Sequence, residues 1–128
     1  MSGGRIYGVN KMLKITLTGN PMSTQHIYLT RGNSKGRFMK KEAKERKEQY
    51  QWEAKSQYKG RIIKCPLAVD IVLYFGDRRR RDWDNFHKLA CDALEGVVYE
   101  DDSQIQEANV VKAYDKENPR TEILIHKL

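Results

Sequence analysis

The nine residues Leu67–Phe75 limit what this chain can fold into more than any other stretch. Leu67, Val69, Ile71, Leu73 and Phe75 share one face of an extended backbone, and Ala68, Asp70, Val72 and Tyr74 make a mixed second face. A period of two, with β-branched and aromatic residues dominant, predicts a strand. Met12 to Thr18 repeats the pattern, with Leu13, Ile15 and Leu17 on one side and Lys14, Thr16 and Thr18 on the other. Gly19-Asn20-Pro21 ends that strand, since proline fixes φ and removes a donor.

A polar, glycine-containing loop is expected up to about Phe38. From Lys40 to Tyr58 there is neither Pro nor Gly, and Ala43, Tyr50, Ala54 and Tyr58 recur at near-helical spacing. That predicts a basic helix with a narrow apolar stripe, stopped near Gly60. A second helix is expected from Asp82 or Asp84 to Leu94. Its stripe is Trp83, Phe86, Leu89, Ala90, Ala93, Leu94 and Val97, with Gly96 as the stop. Ile105 to Tyr114 and Glu122 to Leu128 read as strands, joined as a hairpin by the turn-rich Lys116-Glu117-Asn118-Pro119-Arg120. The order β-α-β-α-β-β predicts an α/β fold: a single domain with a small mixed sheet and two helices packed on it. Residues 1–10 read as a flexible tip and residues 11–128 as the domain.

A chain of 128 residues suffices for one core. No window approaches the roughly 18 apolar residues of a membrane span, and the start lacks the apolar region of a signal peptide. Two cysteines, Cys65 and Cys91, supply neither a disulfide framework nor a four-ligand zinc site. A cytoplasmic protein is expected.

The net charge of +7 is unevenly placed. Between Arg31 and Arg61 there are eleven Lys/Arg against four Glu, while the other residues hold thirteen basic and thirteen acidic groups. The whole excess falls in one stretch, as on a surface that faces a polyanion. Lys40, Lys41, Lys44 and Lys47 are its candidate DNA contacts. The plainer reading is a solvated helix with basic flanks.

The chemistry is concentrated in the run from Gly76 to Asn85, followed by Glu100-Asp101-Asp102. Arg78, Arg79, Arg80 and Arg81 follow a buried strand directly, and guanidinium forks suit phosphate oxygens. Asp82 and Asp84 can face one point if the first ends an extended segment and the second opens a helix. Helix capping is the competing explanation, but a cap needs one acid, not two. From Asp84 to Leu94 a helix advances about 15 Å, and the residues from Leu94 to Asp102 can span up to roughly 26 Å. A return beside the helix can therefore bring Asp101 or Asp102 to Asp82 and Asp84. Charges 5 Å apart repel by about 3 kcal/mol at an effective dielectric of 20, and a divalent ion removes that cost. Oxygen-only ligands suit Mg²⁺ or Mn²⁺, which would activate a water and neutralise a leaving oxygen in phosphodiester hydrolysis. Lys88, one turn after Asp84, is a candidate for stabilising the transition state; an ion pair with Asp84 is the alternative.

Other features are weaker. His87 and Cys91 have the spacing of half a metal site but no second half. His26 and His126 have no identifiable acid partner. Tyr50, Trp52 and Tyr58 can stack on bases or pack in a core. No phosphate-cradling glycine loop is present, which argues against a nucleotide cofactor.

The run Asp77-Arg78-Arg79-Arg80-Arg81-Asp82-Trp83-Asp84-Asn85-Phe86, with Lys88 and Cys91-Asp92-Ala93-Leu94, then Asp101-Asp102 and Gln104-Ile105, closely resembles the RusA family of Holliday junction resolvases. The motifs cover about residues 65–115. Asn20-Pro21-Met22-Ser23 is similar to the turn after that family's first strand, with fewer prolines. The resemblance implies a homodimeric, Mg²⁺-dependent endonuclease of bacteria or prophages that nicks opposed strands of four-way junctions in recombination and repair. It implies Asp82, Asp84 and Asp102 as catalytic, metal-holding acids, with Asp101 in support and Lys88 assisting. The rival readings are a relaxed branched-DNA or flap nuclease of the same chemistry, and a non-catalytic nucleic-acid-binding protein whose acids only cap a helix.

Overall fold

The computed structural model describes residues 12–23, 28–30, 37–39, 41–81 and 86–128; for 28–30 and 37–39 it describes backbone only. The chain runs β1 (Met12–Thr18), β2 (Tyr28–Thr30), β3 (Arg37–Met39), α1 (Lys41–Gln57), β4 (Leu67–Phe75), α2 (Lys88–Leu94), a 3₁₀ turn (Asp102–Gln104), β5 (Ile105–Tyr114) and β6 (Arg120–Lys127). This is the expected α/β architecture, with a short antiparallel β2–β3 pair added inside the predicted loop.

The main sheet has the order β1-β6-β4-β5 and is mixed. β6 is antiparallel to both β1 and β4, and β5 is parallel to β4. The expected β5–β6 hairpin is therefore not formed, because β4 lies between the two strands. The reason lies in burial. Thr121, Ile123 and Ile125 of β6 are fully buried, and register with Ile15 and Ile71 fills that face from both sides. β5 has no such row: Val111 is 54% exposed, and the strand takes the edge. The connection passes the end of β4, with Asp115 N donating to Phe75 O at 2.8 Å and Gly19 N to Pro119 O at 3.1 Å. Arg120 secures it by pairing with Asp115 and Glu122 and lying 3.8 Å from the Tyr74 ring centroid.

One sheet face carries Ile15, Leu17, Leu67, Val69, Ile71, Leu73, Phe75, Ile123 and Ile125 into the core. Ala43, Tyr50 and Ala54 of α1 and Leu89, Ala90, Ala93 and Leu94 of α2 pack against it, as their stripes predict. α1 also shields the other edge of the sheet. The Gln57 amide pairs with Thr16 N and O at 2.7 and 2.8 Å, Glu53 accepts from Thr18 N at 3.0 Å, and Gln49 donates to Thr18 O at 3.0 Å. These side chains occupy the positions a neighbouring strand would take, which blunts an aggregation-prone edge. Gly19 has φ +99° and would place a Cβ 3.3 Å from the Arg46 guanidinium, so the turn that ends β1 requires glycine.

The second helix departs from expectation at its start. Phe86 and His87 are not helical, and α2 begins at Lys88. Phe86 packs edge-on against Phe75, with ring centroids 5.1 Å apart, and this holds the chain to the sheet before the helix starts. The helical step expected from Asp84 to Lys88 is thus interrupted. Trp83 lies outside the described residues. At the other end Gly96, with φ +81°, stops the helix as predicted.

Replacing Gln57 with Ala leaves the outward groups of Thr16 to water. We expect a loss of about 1 kcal/mol in urea unfolding and concentration-dependent association in sedimentation. Acid should destabilise the fold by a second route. Arg120 holds the Asp115 carboxyl below the usual carboxylate range, and Asn109, then His126, do the same for Asp70. These groups bind fewer protons folded than unfolded, so their stabilisation is present above roughly pH 4 and is lost as pH falls below it. Asp115→Asn should flatten the stability profile in that range, measured by urea unfolding from pH 7 to 3.

Candidate functional site

α2 carries Lys88 and Asp92 one turn apart, and Glu95 caps its C-terminal end. Gly96–Tyr99 then folds the chain back, with Gly96 N donating to Tyr99 O at 2.7 Å and Val98 N to Leu94 O at 2.9 Å. Val98 and Tyr99 are fully buried in this turn. The segment therefore does not run the length of the helix, as an extended return would, and Asp102 stays beside the C-terminal half of α2. Its amide donates to Glu95 Oε2 at 2.9 Å.

Among the described residues, one group of carboxylates lies close enough together that it could hold a metal ion. Asp92, Glu95 and Asp102 each offer an oxygen, all within 4.8 Å of one another. Ligands of an octahedral ion at 2.0–2.1 Å lie roughly 3–4.2 Å apart, so small rotations would close the set. An all-oxygen donor set fits a hard cation such as Mg²⁺ or Mn²⁺. Burial pushes the Asp92 carboxyl up; Lys47 opposes this, Asp102 adds to it, and Lys88 opposes it. Burial also pushes the Cys91 thiol up to about 12, so it remains a neutral wall of the site.

Asp92, Asp102 and Cys91 line a cleft of about 460 Å³, in which Lys88 and the two acids meet an apolar wall of Val69, Ile71, Ile105 and Ala108. Lys88 and Asp102, singled out from the sequence, thus share one cleft. Asp82 and Asp84 lie outside the described residues. Asp101 turns elsewhere: its carboxylate caps the 3₁₀ turn by accepting from the Ser103 amide and hydroxyl. Those bonds hold its carboxyl below the usual range. Asp92 and Glu95 were missed, although their i, i+4, i+7 spacing from Lys88 was a usable signal.

Arg78, Arg79 and Arg81 form a separate cleft of about 250 Å³ with Lys112 and Tyr114. It adjoins the far end of β5 from Asp102. Ala108 and Lys112, on the walls of the two clefts, are about 13 Å apart at 3.3 Å per residue. The four arginines are not equivalent. Arg81 is largely buried, paired with Asp77 at 2.8 Å and 4.3 Å from the Phe75 ring centroid. Arg78 lies over Tyr114 at 4.0 Å, and Arg79 and Arg80 are exposed.

On α1, Lys41 and Lys44 are exposed, and Lys47 is half-buried on the side of Asp92. Lys40 lies outside the described residues. Tyr50 is a core residue hydrogen-bonded to Arg46, Tyr58 donates to Arg61 O, and Trp52 is 74% exposed. His26 lies outside the described residues, whereas His126 has the acid partner its sequence context hid, Asp70 at 3.1 Å.

The fold and site define a small α/β domain that sets a carboxylate cluster suited to a hard cation along one strand from an arginine-lined cleft. The chain belongs to the Endodeoxyribonuclease RusA family, whose sequence model matches residues 18–126. It is 39% identical over 66 residues to the crossover junction endodeoxyribonuclease RusA of Aquifex aeolicus, covering 51% of this chain and 52% of that protein. It is 36% identical over 67 residues to the protein of the same name from Escherichia coli K12, covering 52% of this chain and 56% of that protein. The alignments thus span about half the length of these relatives. No described helix is long and apolar enough to cross a membrane.

The division among the arginines is directly measurable. Arg81→Ala should cost about 1–2 kcal/mol in urea unfolding through the lost ion pair and ring contact. Arg80→Ala should stay within about 0.5 kcal/mol of the parent protein.

Proposed function

We propose that this chain is a divalent-metal-dependent endodeoxyribonuclease that resolves four-way DNA junctions by paired nicks; the relatives' name, crossover junction endodeoxyribonuclease, supports the junction-cutting part of this reading. The observation that carries the reading is the meeting of Lys88, Asp92 and Asp102 in one cleft, with Glu95 beside the two acids, in a chain of this family. Asp82 and Asp84 would complete the acidic set on the strength of the sequence motif, with Asp101 supporting its turn. A bound Mg²⁺ or Mn²⁺ would supply charge neutralisation at the phosphate and acidify an attacking water. Lys88 would place a positive charge where negative charge builds on the phosphate. Arg78, Arg79, Arg80, Lys41 and Lys44 would hold DNA backbone, while Arg81 braces the loop that presents its neighbours. Lys47 would balance the acids rather than grip DNA.

A homodimer follows from the chemistry proposed. Paired cuts need two sites, the described residues of each chain offer one, and a two-fold axis sets them at a constant separation. Such an enzyme would serve recombination and repair in a bacterial or phage-infected cytoplasm.

Strand cleavage of a synthetic four-way junction tests the reading, with linear duplex and flap controls and with Mg²⁺ replaced by EDTA. We expect paired nicks in the junction alone, lost in EDTA and reduced at least about 100-fold in Asp102→Asn and Asp82→Asn. Junction affinity should survive both substitutions. Arg79→Ala and Arg80→Ala should each lower the slope of log affinity against log salt by about one. Cutting of every branched substrate would replace junction resolution by a relaxed nuclease activity. Tight binding with no metal-dependent cutting would leave a binding protein whose acids are structural.

A further inference from the structure

One side chain beside the acidic cleft has every hydrogen-bonding position in use. Gln104 Oε1 accepts from Glu100 N and Asp101 N, both at 2.8 Å, and its Nε2 donates to Ile63 O at 2.8 Å and Cys65 O at 2.9 Å. A primary amide offers two donors and two acceptor lone pairs, so none remains. The four bonds join the two residues before Asp102 to the segment that enters β4. That segment is itself tied down, since Ile63 N donates to Val98 O at 2.8 Å.

Asp102 is therefore fixed from both sides. Before it, Glu100 and Asp101 are clamped by Gln104. At its own amide it donates to Glu95 Oε2, and after it the Asp101 carboxylate closes the turn on Ser103. The Asp102 side chain is exposed and sits beside two other carboxylates. Mutual repulsion favours its swinging out to water, and the anchored backbone opposes that motion.

We propose that Gln104 is a positioning residue that holds Asp102 in reach of Asp92 and Glu95, so that the three carboxylates are set for a divalent cation before it arrives. The inference rests on the metal-dependent reading above and extends it to a residue that touches no ligand itself. Residues that orient metal ligands are typically worth 10–100-fold in metal affinity.

The test is Mn²⁺ binding to the whole chain without DNA, followed by the electron paramagnetic resonance signal of free Mn²⁺. Gln104→Met, which loses all four bonds, should bind Mn²⁺ about 10–100-fold more weakly. Gln104→Glu keeps the acceptor bonds to Glu100 and Asp101 but loses both donors, and it should show a smaller loss in the same direction. It carries the test if Gln104→Met does not fold. Four-way junction affinity in EDTA should stay within about twofold for a folded variant, because a residue that only positions Asp102 contacts no DNA. The Mn²⁺ concentration for half-maximal cleavage should rise in parallel with the binding constant. Unchanged Mn²⁺ affinity in a folded variant would overturn the assignment, as would a loss of junction affinity in EDTA. If the parent chain binds no Mn²⁺ and cuts nothing, the metal-dependent reading itself fails; if it binds and cuts while the variants match it, only the role of Gln104 fails.

Discussion

The parallel pairing of β5 with β4 is the constraint on which the rest of the structure depends. A parallel neighbour cannot be reached by a tight turn, so the chain must leave one end of β4 and re-enter at the other. That crossover carries the arginines at its departure, α2 in its middle and Asp102 at its arrival, where Leu67 pairs with Ile105. The order of these features in the sequence thereby becomes an order along β5. The arginine cleft and the acidic cleft lie at different points of one edge strand.

The sheet treats its two edges differently. At β1 the side chains of Gln49, Glu53 and Gln57 reach from α1 to the outward backbone groups, so that edge is closed. The same helix directs Lys47 toward the acidic cleft and leaves Lys41 and Lys44 to solvent. One amphipathic element thus fills the core, seals an edge and contributes to the electrostatics of the site. β5, at the other edge, carries the walls of both clefts instead of a helix cover.

Around Asp102 the polar groups are divided by task. Glu95 is both a member of the carboxylate cluster and the acceptor for the Asp102 amide. Asp101 closes the turn, and Gln104 ties it to the entrance of β4. In the arginine loop the division is similar: Arg81 is spent on Asp77 and Phe75, which leaves Arg79 and Arg80 facing outward. Adjacent residues of one type are separated into structural supports and exposed side chains by the few that find local partners.

Much was legible in the sequence because it is encoded locally. β1, β4 and α1 follow from periods of two and 3.6, Gly19 and Gly96 mark chain reversals, and Lys88 and Asp102 stood out by their place in a dense run of acids and bases. The sequence by itself therefore determined the main strands, the presence of both helices and the family. Which strands are neighbours was decided only by tertiary packing: a turn-rich link reads the same whether it closes a hairpin or crosses the end of β4, and the demand of Ile123 and Ile125 for burial on both sides placed β6 inside. Packing also decided which acids converge. Asp92 and Glu95 joined Asp102 because buried Val98 and Tyr99 fold the chain back at once, and His126 found Asp70 across a strand pairing that spacing along the chain does not reveal. Local pattern sets what each segment is; the shared need to bury apolar faces sets which segments meet.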